Sequence, residues 1–244
     1  IMQISLAADL QKDSIVDVLG IRTVIWTQGC SHNCPKCHNP ITHDFNGGEI
    51  YVNGMDVKKE SAKCKQIIAY IPDNPDLYEY LTGIQYLNFI ADMYGVSKEE
   101  RQERIQTEAQ EFGILGSLGD LIYSYSHGMK QKLALIGAFL HEPKLLILDE
   151  PFVGLDPQAA VILKGIMREI CNAGGAVFFS THVLDVAERL CNKVAIIDNA
   201  KIVEHGDTQD IFLHPKTEIS KKIIYSGHIN TKSDDSKLLK VIFN

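Results

Sequence analysis

The chain has 244 residues, 45% of them hydrophobic and 23% charged, with a formal net charge of −7. That balance is ordinary for a globular protein and argues against a general affinity for nucleic acid. No apolar run reaches the roughly 18 residues needed to span a bilayer, and no secretory leader is visible, so a cytoplasmic location is expected.

Val24-Ile25-Trp26 reads as a short strand, followed by a loop that carries Cys30, Cys34 and Cys37. Thiolates at C-x3-C-x2-C spacing repel one another, and a bound metal is the usual reason to crowd them. Three thiolates can hold three irons of a 4Fe-4S cluster and leave the fourth open. Zinc is the rival, with His32, His38 or His43 as a fourth ligand, and three free thiols are the bland alternative. The wider stretch GIRTVIWTQGCSHNCPKCHNPITHDFNGG resembles the start of the radical S-adenosylmethionine activase of anaerobic ribonucleotide reductase. The resemblance covers residues 1–48. It implies Cys30, Cys34 and Cys37 as cluster ligands and S-adenosylmethionine on the open iron. It also implies a partial βα barrel, of which only the first strand and the cysteine loop are present.

From residue 49 the pattern changes. Ile67 to Ile71 reads as a strand that ends at Pro72-Asp73. Thr82 is placed to cap a helix over Gln85 to Tyr94. Ser97 is placed to cap another, with Glu99 and Glu100 in its first turn. The polar turn Ser126-His127-Gly128 opens a helix that runs through Leu140. A helix N-terminus offers backbone N–H groups to an anion, and Ser126 adds a hydroxyl. Leu145 to Leu148 is a continuous apolar run, as in a parallel strand covered on both faces. It ends in Asp149 and Glu150, at the strand end where open α/β sheets bind ligands. A loop through Pro151, Gly154 and Asp156 follows. Further strands are expected over Ala176 to Ser180, Lys193 to Ile197 and Lys201 to Val203, with His182 just after the first of them.

YSHGMKQ, LLILDEP and GLD, in that order, resemble the signature motif, Walker B strand and D-loop of ATP-binding cassette (ABC) ATPases. GEIYVNGMDV resembles the strand and turn after that family's first helix. The resemblance spans residues 49–213. It implies an α/β fold, a P-loop NTPase sheet with a helical subdomain that docks on a membrane permease. It places Asp73 at the Q-loop position and Ser126, His127, Gly128 and Gln131 in the signature motif, facing the γ-phosphate held by a second ATPase subunit. It makes Asp149 a ligand of Mg2+ through water, Glu150 the residue that polarises the attacking water, Asp156 a D-loop residue and His182 a sensor of the γ-phosphate of ATP. The phosphate-cradling loop G-x-x-x-x-G-K-[ST] occurs nowhere in the chain, so this sheet is expected to be incomplete.

Phe212 to Thr217 resembles the segment after the ATPase core in methionine-importer ATPases, and Lys237 to Phe243 is expected as the first strand of their regulatory domain. The domain limits expected are therefore 1–48, 49–213 and 214–244. Three functions follow. One is an incomplete ABC ATPase subunit, cytoplasmic or peripheral at the inner face of the membrane. The others are a cluster-bearing activase fragment and a chimera of truncated frames without activity.

Overall fold

A computed structural model describes residues 51–198, 201–227 and 239–243. The cysteine loop, and with it the radical S-adenosylmethionine-like part of the expected fold, lies outside the described residues.

The first element is a hairpin, β1 (Tyr51–Val52) and β2 (Met55–Asp56), closed by Asn53-Gly54. Helix α1 (Ser61–Gln66) and strand β3 (Ile68–Ile71) follow. Thr82 caps α2 (Gly83–Tyr94) and Ser97 caps α3 (Lys98–Glu111). Both are capping boxes, in which Gln85 and Glu100 return hydrogen bonds to the cap residue's backbone N–H. Ser126 caps α4 (His127–Phe139). Strand β4 (Leu145–Asp149) leads through a loop to α5 (Pro157–Asn172), capped by Asp156 with proline in its first turn. Next come β5 (Ala176–Thr181), α6 (Leu184–Leu190), β6 (Lys193–Asp198) and β7 (Lys201–Asp207). Helices α7 (Thr208–Leu213) and α8 (Glu218–Gly227) and strand β8 (Leu239–Phe243) complete the order. Among the described residues no helix is long and apolar enough to cross a membrane.

The described residues fall into two compact units, Lys65–Gly175 in one and those of 51–64 and 176–243 in the other. In the 65–175 unit, β3 pairs in parallel with β4, with Ile68 opposite Leu145 and Ile71 opposite Leu148. The sequence between these strands forms α2, α3 and α4, and α4 packs on α2, α3 and β3. Leu87, Ala91, Ala109, Leu133 and Leu146 are the wholly buried centre. His141 stacks flat on Tyr94, with ring centroids 3.7 Å apart, and its Nε2 lies 3.3 Å from the carbonyl oxygen of Ile68. That one side chain ties the end of α2 to the start of β3.

In the other unit the strand order is β5-β8-β6-β7. All six residues of β5 are buried, and so are four of six in β6. Strand β8 runs antiparallel to both, pairing Val177 with Phe243 and Lys193 with Ile242. Strand β8 falls within the segment 237–243 expected as a strand. It sits inside the sheet, between β5 and β6. Strands β6 and β7 form an antiparallel hairpin with a register shift at Ile196/Ile197. The carboxylate of Glu204 on β7 accepts hydrogen bonds from the backbone N–H of Lys216 (2.9 Å) and Thr217 (3.1 Å), fixing the entry to α8.

Candidate functional site

The candidate site in the 65–175 unit is built from the start of α4 and the end of β4. Tyr125 is buried and its phenol donates to the carbonyl of Ser117 at 2.6 Å, which fixes the chain's approach to α4. The backbone then turns at Ser126, whose Oγ accepts from the N–H of Met129 at 3.3 Å. Ser126 and His127 are exposed and Gly128 is half-buried. Lys130 pairs with Glu79 behind this turn.

Strand β4 delivers Asp149 and Glu150, both half-buried, at its C-terminal end. Glu150 has a left-handed backbone (φ 43°), which costs a non-glycine residue about 1 kcal/mol or more. The turn is closed by the N–H of Val153 donating to the carbonyl of Glu150 at 3.0 Å. The β3–β4 register starts the segments bearing Asp73 and Asp149 side by side. Tyr70 reports this electrostatically: burial raises its pKa, and the carboxylates of Asp149 and Asp73 raise it further. A pair of adjacent carboxylates suits Mg2+, which is held by one or two carboxylates and completes its shell with water and phosphate. Among the described residues there is no group of three or more His, Cys, Asp or Glu that could hold a metal on its own.

The two segments are locked together. A Cβ added to Gly128 would lie 2.8 Å from the carbonyl oxygen of Gly154, so only glycine permits this approach. Gly154 has φ 79°, and a Cβ there would meet His127 Cδ2 at 2.7 Å. Below this contact Lys132 Nζ lies 2.6 Å from Asp156 Oδ2. Asp156 Oδ1 accepts from the N–H of Ala159 at 2.9 Å as the cap of α5. Its pKa is lowered, first by the Lys132 hydrogen bond and then by that from Ala159.

Of the expected site residues, Ser126, His127, Gly128, Asp149, Glu150 and Asp156 therefore belong to one α4–β4 arrangement. Asp73 is exposed just beyond β3. His182 is exposed after β5, in the other unit, where Thr181 Oγ1 accepts from the N–H of Val183 at 3.1 Å. Gln131 lies one turn further along α4. It is fully buried, and neither end of its amide has a hydrogen-bond partner among the described residues. Helical geometry explains this: the exposed turn ends within three residues, and position 131 points under it. Cys30, Cys34 and Cys37 lie outside the described residues. Cys64, Cys171 and Cys191 are not in disulfides among the described residues. Sequence reasoning missed Lys132, although its spacing of four from Gly128 puts both on one helix face.

The chain is similar to known proteins. The family described as ABC transporter matches residues 39–153. The chain is 38% identical over 202 residues to the ABC-type transporter ATP-binding protein EcsA of Bacillus subtilis, covering 83% of this chain and 79% of EcsA. It is 33% identical over 171 residues to the linearmycin resistance ATP-binding protein LnrL of the same organism, covering 70% of this chain and 54% of LnrL. It thus spans most of EcsA but about half of LnrL. Among solved structures, one described as "Structure of ATP binding subunit of ABC transporter" superimposes with a TM-score of 0.66 at 35% identity, over 74% of this chain and 76% of that one. CbiO1 of Clostridium perfringens, at 24% identity and a TM-score of 0.57 over 75% of this chain and 76% of its own, shares the fold. The chain belongs to the family of ABC transporter ATP-binding proteins.

Proposed function

We propose that this chain is an ATP-binding subunit that supplies the signature half of a composite ATP site, the phosphate cradle coming from a second ABC ATPase. The clamp of Gly128 on Gly154 carries this reading. It holds an exposed helix N-terminus beside the Asp149-Glu150 strand end. No G-x-x-x-x-G-K-[ST] loop stands in the sequence to wrap phosphates, so autonomous hydrolysis is not expected. In the composite, Ser126, His127 and Gly128 face the γ-phosphate of ATP. Asp149 holds Mg2+ through water, Glu150 polarises water, Asp156 faces the subunit interface, Asp73 takes the Q-loop position and His182 senses the γ-phosphate. A membrane permease is the third partner, which puts the chain at the cytoplasmic face of a membrane. The test is an ATPase assay of the chain alone and with an intact ABC ATPase. Turnover only in the mixture, lowered by Ser126→Ala in this chain, supports the reading. Turnover by this chain alone that Glu150→Gln abolishes overturns it.

A second reading rests on the C-x3-C-x2-C spacing of Cys30, Cys34 and Cys37. In it residues 1–48 hold a 4Fe-4S cluster and S-adenosylmethionine, as in the activase they resemble. Anaerobic reconstitution with iron and sulfide assays tests this. Iron retention that ignores Cys→Ala changes at all three positions ends it. If neither assay gives a signal, the chain is a chimera of truncated frames.

A further inference from the structure

The site leaves one buried group without a function. Gln131 is 0% exposed, and both its Oε1 and Nε2 lack a partner among the described residues. A buried amide in that state favours any rearrangement that pairs it. Its neighbours on α4 define what it faces. His127 and Gly128 touch Gly154, and Lys132 pairs with Asp156. At about 100° per residue, position 131 falls roughly 40° from His127 on one side and about 60° from Gly128 on the other. Gln131 therefore lies within the sector of α4 that faces residues 150–156. That loop carries two left-handed residues, Glu150 at φ 43° and Gly154 at φ 79°.

We infer that Gln131 is a positioning residue for Glu150. Its carboxamide is unpaired while loop 150–156 holds the conformation described here. In a second conformation the main chain of residues 151–155 shifts onto it. Gln131 gains its hydrogen bonds, and the backbone of Glu150 turns with the loop. Gly154 and the Lys132–Asp156 pair keep the loop attached to α4 during the shift. A ligand on Ser126–Gly128 thus reaches Glu150 through four residues of one helix face. The inference takes from the proposed function only the role of Glu150.

The test uses the full chain without nucleotide or partner, so it fails or succeeds independently of the ATPase assay. Backbone hydrogen exchange is measured over residues 150–156 and, as a reference, over β3. Gln131→Met keeps the length of the side chain and removes both polar ends; Gln131→Leu serves if Met packs poorly. The expected result is exchange slowed about fivefold or more in 150–156 with β3 unchanged, because the drive toward the second conformation is gone. A merely structural role moves both segments together. Equal or faster exchange at 150–156, or a parallel change in β3, overturns the inference.

Discussion

Lys132 and Asp156 form an ion pair at 2.6 Å in which the lysine is the more buried partner, its side chain 16% exposed against 47% for the aspartate. The aspartate meanwhile caps α5 through Ala159. One carboxylate therefore ties the C-terminal end of the loop after β4 to both α4 and α5. Asp156→Ala removes cap and pair together and is expected to cost about 1–2 kcal/mol by urea denaturation. Asp156→Asn keeps a competent cap and loses only the charge, so its cost is smaller, under about 1 kcal/mol. The lowered pKa sets a pH window. The contribution of Asp156 is present above its ordinary value of 3.8 and fades as pH falls below it. Equal losses for the two substitutions would remove the capping role.

Three glycines of the 65–175 unit should respond to alanine in opposite directions. Gly154→Ala meets both a positive φ and the His127 ring, and Gly128→Ala meets the carbonyl of Gly154. Each is expected to destabilise by about 1–3 kcal/mol. Gly165 lies within α5, where a Cβ would meet nothing within 4 Å. Gly165→Ala is expected to stabilise by roughly 0.5–1 kcal/mol through helix propensity. Denaturant midpoints of the three variants decide this, and a gain for Gly128→Ala would show that the clamp is slack.

Glu108 on α3 is pushed up to about 7, first by burial and then by the carboxylates of Glu111 and Glu169. Its Oε2 is buried with no hydrogen-bond partner among the described residues. The folded chain holds this proton above the ordinary value of 4.5, so stability is full below that pH and falls as pH rises toward 7. The loss is about 2–3 kcal/mol. Glu108→Gln should remove that slope and raise stability at pH 8. His141 acts in the opposite sense. Burial lowers its pKa, so its contribution is complete above 6.5 and declines as pH falls. Comparing Glu108→Gln with the parent at pH 5 and pH 8 separates the two. An unchanged slope would show that Glu108 is ionised throughout.

Glu204 is 8% exposed and takes two backbone N–H groups. Burial alone would raise its pKa, but hydrogen bonds from Ser220, Lys216 and Thr217 outweigh it and the net shift is downward. Glu204→Ala leaves those part-buried donors without their acceptor and is expected to cost about 1–2 kcal/mol. The parent should lose the same contribution as pH falls below 4.5. Local exchange at Lys216 and Thr217 is the sharpest readout. Protection that survives the substitution would assign those N–H groups to another acceptor.

The elements legible in the sequence were those with local causes. Thr82 and Ser97 announce helices because a cap acts within three residues, and Leu145 to Leu148 announces a strand because burial on both faces demands unbroken apolar character. Asp149 and Glu150 were legible as a strand end, and Ser126 as a helix start. What escaped depends on distant partners. Nothing near residue 132 states that its ammonium meets Asp156, and nothing near 131 states that this polar residue is fully buried. The place of β8 was hidden for the same reason, since its partners lie at 177–181 and 193–196.

That placement has a consequence for synthesis. Strands β5 and β6 are complete once Asp198 has emerged, yet the strand that joins them ends at Phe243. At roughly 5–20 residues per second the ribosome needs a few seconds to supply it. Through that interval two strongly apolar strands carry unpaired edges, the kind of surface that recruits strands from other chains. The nascent chain is thus most vulnerable late, and a chaperone that shields residues 176–198 until the last strand arrives should raise its yield more than one acting on the helices between 83 and 139.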